Sequence, residues 1–196
     1  MADDRDPLLR ELESEVRREQ LEKLWDRYGI YVLAVAALIV VGVGGYKWWE
    51  AHTLAAAAEA GARYQAAIRL LEQGKDAEAK QAFEAMVRDA PSGYATLARL
   101  QLAGEAASAG KTDEAIAAYE AIAGDGSVDE LFRQYAQLQI AMLKVDTADF
   151  TEMQNRLTPL TAEGNAWRHN ARELLGLSAF RAGRLEEARQ IFLELA

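Results

Sequence analysis

From Gly29 to Tyr46 the chain reads GIYVLAVAALIVVGVGGY, and no charged residue lies between Arg27 and Lys47. Few solvents accept such a stretch. At 1.5 Å rise per residue, about 18–20 apolar residues match the roughly 30 Å hydrocarbon core of a bilayer. Trp25, Tyr28 and Tyr31 stand at one end and Tyr46, Trp48 and Trp49 at the other. Amphipathic aromatic rings at both rims form an interfacial belt. A buried core helix of this length would carry a polar face. A cleaved signal peptide would have a short basic leader and a small-residue cleavage site. Here 28 residues precede the stretch, nine of them acidic, and Lys47-Trp48-Trp49-Glu50 follows it. The expected organisation is an arm over 1–28, an uncleaved transmembrane helix over 29–49 and a separate domain over 50–196.

Basic residues near the ends set the direction. Arg10, Arg17, Arg18, Lys23 and Arg27 flank the N-terminal side, against Lys47 and Arg63 on the other. The positive-inside rule places the arm in the cytoplasm and the C-terminal domain outside, which in a bacterium is the periplasm. Within the span, Ala34, Ala37, Val41, Gly44 and Gly45 share one face, and small residues let helices approach closely in lipid. That face is a candidate contact surface, although small residues also occur in membrane helices without a contact role. The arm spaces Leu8, Leu9, Leu12, Val16, Leu21, Leu24, Trp25 and Tyr28 at near-helical intervals. It reads as an amphipathic helix, either a docking site or a solvated positioning arm.

The remainder is expected to be all-α. Only 3 prolines occur in 196 residues, and Ala, Leu, Glu, Gln and Arg dominate. Three segments align on a glycine between two helical stretches: Gly74 with Ala79 and Phe83, Gly110 with Ala115 and Tyr119, Gly183 with Ala188 and Phe192. The first two glycines are 36 residues apart, and the third follows after 73, two periods. A degenerate repeat is therefore expected to turn near Asp146-Thr147, between helices over Gln134–Lys144 and Phe150–Leu160. Each repeated residue has a physical task. Glycine ends a first helix, A, in a left-handed turn. The alanine is small where A and a second helix, B, cross. The aromatic ring fills the space between neighbouring hairpins, and Pro91 stops the first B helix. Asp76, Asp113 and Glu186 lie near B-helix starts, where acids suit the helix dipole.

This set resembles the tetratricopeptide repeat and implies an α-solenoid of about four hairpins. The chain stops at Ala196 inside the last B helix, before a polar capping helix, so a longer natural chain is expected. A second resemblance covers nearly the whole chain. Gln20-Leu-Glu-Lys-Leu-Trp-Asp-Arg-Tyr-Gly29, then Gly45-Tyr-Lys-Trp-Trp-Glu-Ala-His52, then an Ala-rich helix into the repeats is similar to the YfgM-like family. Its members are ancillary subunits of the SecYEG translocon, and the repeat domain is shared with cell-division coordinator proteins. The resemblance implies an inner-membrane protein with a periplasmic repeat domain. Its partners would be translocon subunits, a membrane-anchored chaperone of the PpiD type and newly exported chains. The alternative is a scaffold in envelope assembly or cell division.

Catalytic patterns are not found. There is no cysteine, which removes disulfides, thiol chemistry and Cys-based zinc sites. His52 and His169 have no metal-ligand spacing, no Gly-x-Ser-x-Gly elbow occurs, and a net charge of -9 opposes nucleic-acid binding. No cofactor, metal or small-molecule substrate is expected, and the chain is read as a non-enzyme. What remains is surface recognition. In stacked hairpins the A helices line a concave groove. The groove candidates are Tyr64, Ile68, Leu71, Leu97, Leu100, Leu177 and Phe180. Tyr64 and Ile68 stand where some such domains carry a carboxylate clamp. An apolar groove would accept an amphipathic helix or a non-native segment. The other reading is that these residues pack helix A against helix A.

Overall fold

The structure, a computed structural model, describes the backbone of residues 6–195 and side chains from Trp25 to Leu195. Of the side-chain pattern expected of the arm over 1–28, Leu8, Leu9, Leu12, Val16, Leu21 and Leu24 lie outside the described side chains, and Trp25 and Tyr28 within them. Helices follow one another: α1 (Asp6–Glu72), α2 (Asp76–Asp89), α3 (Ser92–Ser108), α4 (Thr112–Ala123), α5 (Glu130–Lys144), α6 (Phe150–Leu157), α7 (Arg168–Arg181) and α8 (Leu185–Leu193). A 3-10 turn, Thr158–Thr161, extends α6. Among the described residues there is no strand, and the fold is all-α.

The chain divides into two compact units, Met1–Ala55 and Ala56–Ala196. The first holds the apolar part of α1, long and apolar enough to cross a membrane. Only 6% of that stretch is buried, which is unlike a core helix, whose sides would be covered by protein. Trp25, Tyr28, Tyr46, Trp48 and Trp49 all stand exposed.

The second unit is a series of helix hairpins. Residues 56–72 of α1 pair with α2, α3 with α4, α5 with α6, and α7 with α8. Three of the four turns are copies of one device. Gly74, Gly110 and Gly183 have φ of 71°, 74° and 74°, a left-handed conformation that costs a residue with a Cβ roughly 1–2 kcal/mol. The next residue, Lys75, Lys111 or Arg184, donates its backbone N–H to the carbonyl five residues back (Leu70, Ala106, Ala179) at 2.9 Å. The glycine itself donates to the carbonyl three back. This pair of bonds is the Schellman ending, and it satisfies carbonyls that the last helical turn leaves open.

The third turn lies where the repeat period places it but is built otherwise. Val145 stays in the right-handed region, and Thr147 and Ala148 both donate to the Lys144 carbonyl. Asp149 then caps α6 by accepting from the Glu152 N–H at 2.8 Å. Ala148, 7% exposed, occupies the place of the glycine. Counted from it, Met153 and Leu157 fill the alanine and aromatic positions, and both are fully buried.

Packing follows the repeat. Ala79, Ala115 and Ala188 are 0–2% exposed at the A–B crossings, and Phe83 and Tyr119 are buried between hairpins. Burial pushes the Tyr119 phenol up to about 12, so it stays neutral and packs as phenylalanine does one repeat earlier. The acids anticipated at B-helix starts occupy the first turns of α2, α4 and α8.

Candidate protein-interaction surfaces

The seven groove candidates separate by burial. Tyr64, Ile68 and Leu71 are half-buried and pack on a cluster of Ala67, Ala79, Phe83, Met86 and Ala98. The Tyr64 ring meets Phe83 edge-on at 5.5 Å. Leu97 is half-buried, and Leu100, 8% exposed, lies inside the cluster formed by Ala103, Tyr119, Ile122 and Ile140. A side chain so enclosed cannot present an apolar surface to a ligand. Leu177 and Phe180 are the open members, at 43% and 62% exposure. Phe180 and Leu71 share a position, three residues before their turn glycines, and Leu177 and Ile68 share another. The difference is the neighbour. α3 lies over the first hairpin, and no later A helix lies over α7 and α8 among the described residues.

A clasp that the sequence reading overlooked recurs between A helices and the ends of B helices. Arg63 donates to Asp89 at 2.8 Å, and Arg99 donates to Asp125 at 2.9 Å; both pairs are 26 residues apart. Arg63, Arg99 and Arg172 each stand 11 residues before a turn glycine. That spacing was the available signal. In the last hairpin Arg172 pairs with Glu194 at 3.2 Å instead. In the third, Gln137 takes the arginine's place and accepts from Arg156 at 2.6 Å.

The second clasp is the tightest in hydrogen bonding. Asp125 accepts from the Ser127 hydroxyl at 2.6 Å, and Arg99 also donates to the Ala121 carbonyl at 3.2 Å. Bonds from Ser127 and then Arg99 hold the Asp125 carboxyl at about 2, below its ordinary 3.8. A carboxylate with a lowered folded pKa adds stability above its unfolded value, and that stability is lost as pH falls through the folded value. Asp125→Asn is therefore expected to be less stable than the parent chain above pH 4. The gap should close as pH falls from about 4 towards 2, read as the difference in thermal midpoint across that range. A gap unchanged by pH would remove the ion pair from the account.

A cleft of about 600 Å³ opens between α2, α3 and α4 near their turns, lined by Leu71, Ala103, Ala106, Lys80, Glu105 and Glu114 among others. Its cations are engaged, Lys111 with Glu114 at 3.3 Å and Lys80 with Glu84 at 3.9 Å. Burial raises the Glu105 carboxyl above its ordinary value. Among the described residues no group of His, Cys, Asp or Glu is placed to hold a metal ion. His52 stacks on Trp48 at 5.7 Å, and His169 is exposed on α7.

In the first unit, Ala34, Ala37, Val41, Gly44 and Gly45 are exposed and span an arc of about 100° at 100° per residue. A Cβ at Gly44 or Gly45 would meet nothing within 4 Å. The face is open to lipid or to another helix.

The family model of the tetratricopeptide repeat-like domain matches residues 22–194, which take in the apolar stretch and all four hairpins. No curated protein and no solved structure matches the chain. By its turn glycines, its A–B crossings and this match, the chain belongs to the tetratricopeptide repeat-like domain family.

Proposed function

We propose that the protein is a membrane-anchored periplasmic scaffold that binds protein partners at the Sec translocon and assists export or early folding of secreted chains. The coarser part follows from the family, whose repeat fold is a scaffold for protein–protein interaction and of a non-catalytic type. The reading carries no enzymatic step and no cofactor. The observation that supports an anchored scaffold is an uncharged, exposed helix of membrane-spanning length preceding a repeat unit within one family match. The excess of Arg10, Arg17, Arg18, Lys23 and Arg27 on the N-terminal flank supports a cytoplasmic arm and a periplasmic 50–196 domain. The resemblance of the segments around the anchor to the YfgM-like family supports the translocon and a PpiD-type chaperone as partners.

Roles divide between the two units. The face with Ala34, Ala37, Val41, Gly44 and Gly45 would meet a translocon helix in lipid, where small residues permit close packing. Leu177 and Phe180 would meet a chaperone or a non-native segment through apolar contact.

Photo-crosslinking in cells from Ala37, Leu177 and Phe180 tests this. Adducts with translocon subunits from Ala37, and with a chaperone or nascent chains from the other two, are expected. Adducts confined to division or wall-synthesis proteins would overturn the export assignment and favour an envelope scaffold.

A further inference from the structure

Three spaces separate the four hairpins, and equivalent residues line each of them. In the second space the following hairpin supplies an arginine. Arg156, eight residues after Ala148, lies 3.7 Å from Glu120, which stands ten residues after Gly110. Its side chain is 18% exposed and also donates to Gln137 at 2.6 Å. Leu143, five residues before Ala148, packs with Ile116 on the core cluster beneath. In the third space Ile191 holds the place of Arg156 and packs against Phe150, Ala179 and Ala188. Arg184 closes the same space by stacking on the Phe150 ring at 4.2 Å.

The first space is built from other residues. Ala118 stands where Arg156 and Ile191 stand, and Glu105 stands where Leu143 stands. A methyl in place of a long side chain leaves room, and here lies the cleft of about 600 Å³, with Glu84, the counterpart of Glu120, on its wall. The Glu105 carboxylate has one oxygen, Oε1, buried with no hydrogen-bond partner. Native proteins seldom leave such an acceptor unmatched, because its lost hydration is not replaced. Burial, with Asp76 adding to it, raises the Glu105 carboxyl more than Gln101 and Lys80 lower it. Asp76, Glu84, Glu105 and Glu114 line the cleft against only Lys80 and Lys111, an excess of two negative charges. The two lysines pair with Glu84 and Glu114, which leaves Glu105 uncompensated.

Charge and shape together define what fits. Among the described residues no acidic group is placed to hold a metal ion, so a bare divalent ion does not answer the excess. Leu71, Leu102, Ala103 and Ala106 make the rest of the wall apolar. A cation on an aliphatic stem satisfies both parts, with methylenes along the alanines and its head at the carboxylates. Arginine does so better than lysine, because its planar fork bonds more than one acceptor at once. Arg156 does this in the next space, with Glu120 and Gln137. One arginine fills only part of a cleft of this volume, and the apolar wall suits the residues beside it in a polypeptide.

We propose that this cleft docks an arginine of a partner polypeptide, its guanidinium bonded to Glu105 and Glu84 and its stem and aliphatic neighbours lying on Ala106, Ala118 and Leu102. The site stands whether or not the translocon assignment does. The probe is the fluorescent peptide Leu-Ala-Arg-Ala-Leu, titrated by anisotropy against the full chain in phosphatidylcholine nanodiscs. Saturable binding is expected, weakened about tenfold or more by Glu105→Gln and by citrulline in place of the peptide's arginine. Citrulline keeps the shape and loses the charge, so that peptide also corrects for uptake into lipid. Glu105→Gln removes an unmatched buried charge at constant shape and should melt no lower than the parent. Ala118→Arg should supply in cis what Arg156 supplies in the next space, keeping the parent's circular dichroism and blocking the peptide. No binding to the parent chain, equal binding of the two peptides, or undiminished binding to either variant overturns the proposal. So does free agmatine that binds as tightly as the peptide, because a small cation would then be the occupant.

Discussion

Phe83→Ala is expected to lower the stability of the repeat unit by about 3–5 kcal/mol, against about 1–2 kcal/mol for Phe192→Ala. The two rings hold the same repeat position, nine residues after Gly74 and Gly183. Phe83 is enclosed by Ala67, Met86, Ala98 and the edge-on Tyr64 ring. Its removal leaves a cavity with walls on three helices, which cannot collapse together. Phe192 rests against Gly176, whose missing side chain gives the ring its room, since a Cβ there would stand 2.8 Å from the ring. Its outer side faces solvent, so truncation forfeits less buried area and leaves no closed void. With a total stability of about 5–15 kcal/mol for a domain of this kind, the first loss is severe and the second tolerable. Urea unfolding of both variants, at constant dependence on denaturant, measures the two losses. Equal losses would mean that the Phe192 ring is as enclosed as that of Phe83, against the exposure of 36% and 0% that sets the two apart. Because each hairpin touches only its neighbours, the Phe83 loss should also loosen α2 and α3 before α7 and α8, visible in hydrogen exchange.

The same comparison explains how far the repeats were readable without coordinates. Gly74, Gly110 and Gly183 betray themselves because no other residue adopts that φ cheaply, so the backbone dictates the residue. The third turn carries no such demand. A right-handed Val145 and an Asp149 cap can be made from many sequences, and only the 36-residue period located it. The two readings of the groove residues, open lining or helix-on-helix packing, could not be separated in the sequence for a different reason. Leu71 and Phe180 are equivalent apolar positions, and their burial depends on whether another hairpin follows, which is a property of the neighbour. Leu100 similarly faces α4 and α5 in the core, although its register alone allows the groove. Arg63 and Arg99 look like solvated helix charges until their partners 26 residues on are seen beside them.

Replacing Leu38 and Val41 together by arginine is expected to move the protein from the membrane to the soluble fraction. The segment Gly29–Tyr46 contains nine Leu, Ile and Val residues, each worth about −0.3 to −0.6 kcal/mol near the middle of a spanning helix. Together they favour insertion by about 3–5 kcal/mol, before the belt of tryptophan and tyrosine is considered. One central arginine opposes this by about 2.5–3.5 kcal/mol, close to balance, so a single substitution should leave a mixed population. Two arginines cost about 5–7 kcal/mol while removing two of the nine favourable residues, and the sign reverses. Leu38 and Val41 are 73% and 72% exposed, on a stretch that is only 6% buried, so no protein core is disturbed, and the repeat unit should melt as before. The readout is extraction of membranes with alkaline carbonate, with the size of the recovered chain on a denaturing gel. A parent chain retained in membranes at full length, and a double variant released at full length, are the expected pair. A parent chain shortened by the arm and the segment together would identify a cleaved signal instead of an anchor. Retention of the double variant would show that lipid burial of 29–49 is not what holds the protein, and the division of labour between a membrane face and a repeat scaffold would have to be abandoned.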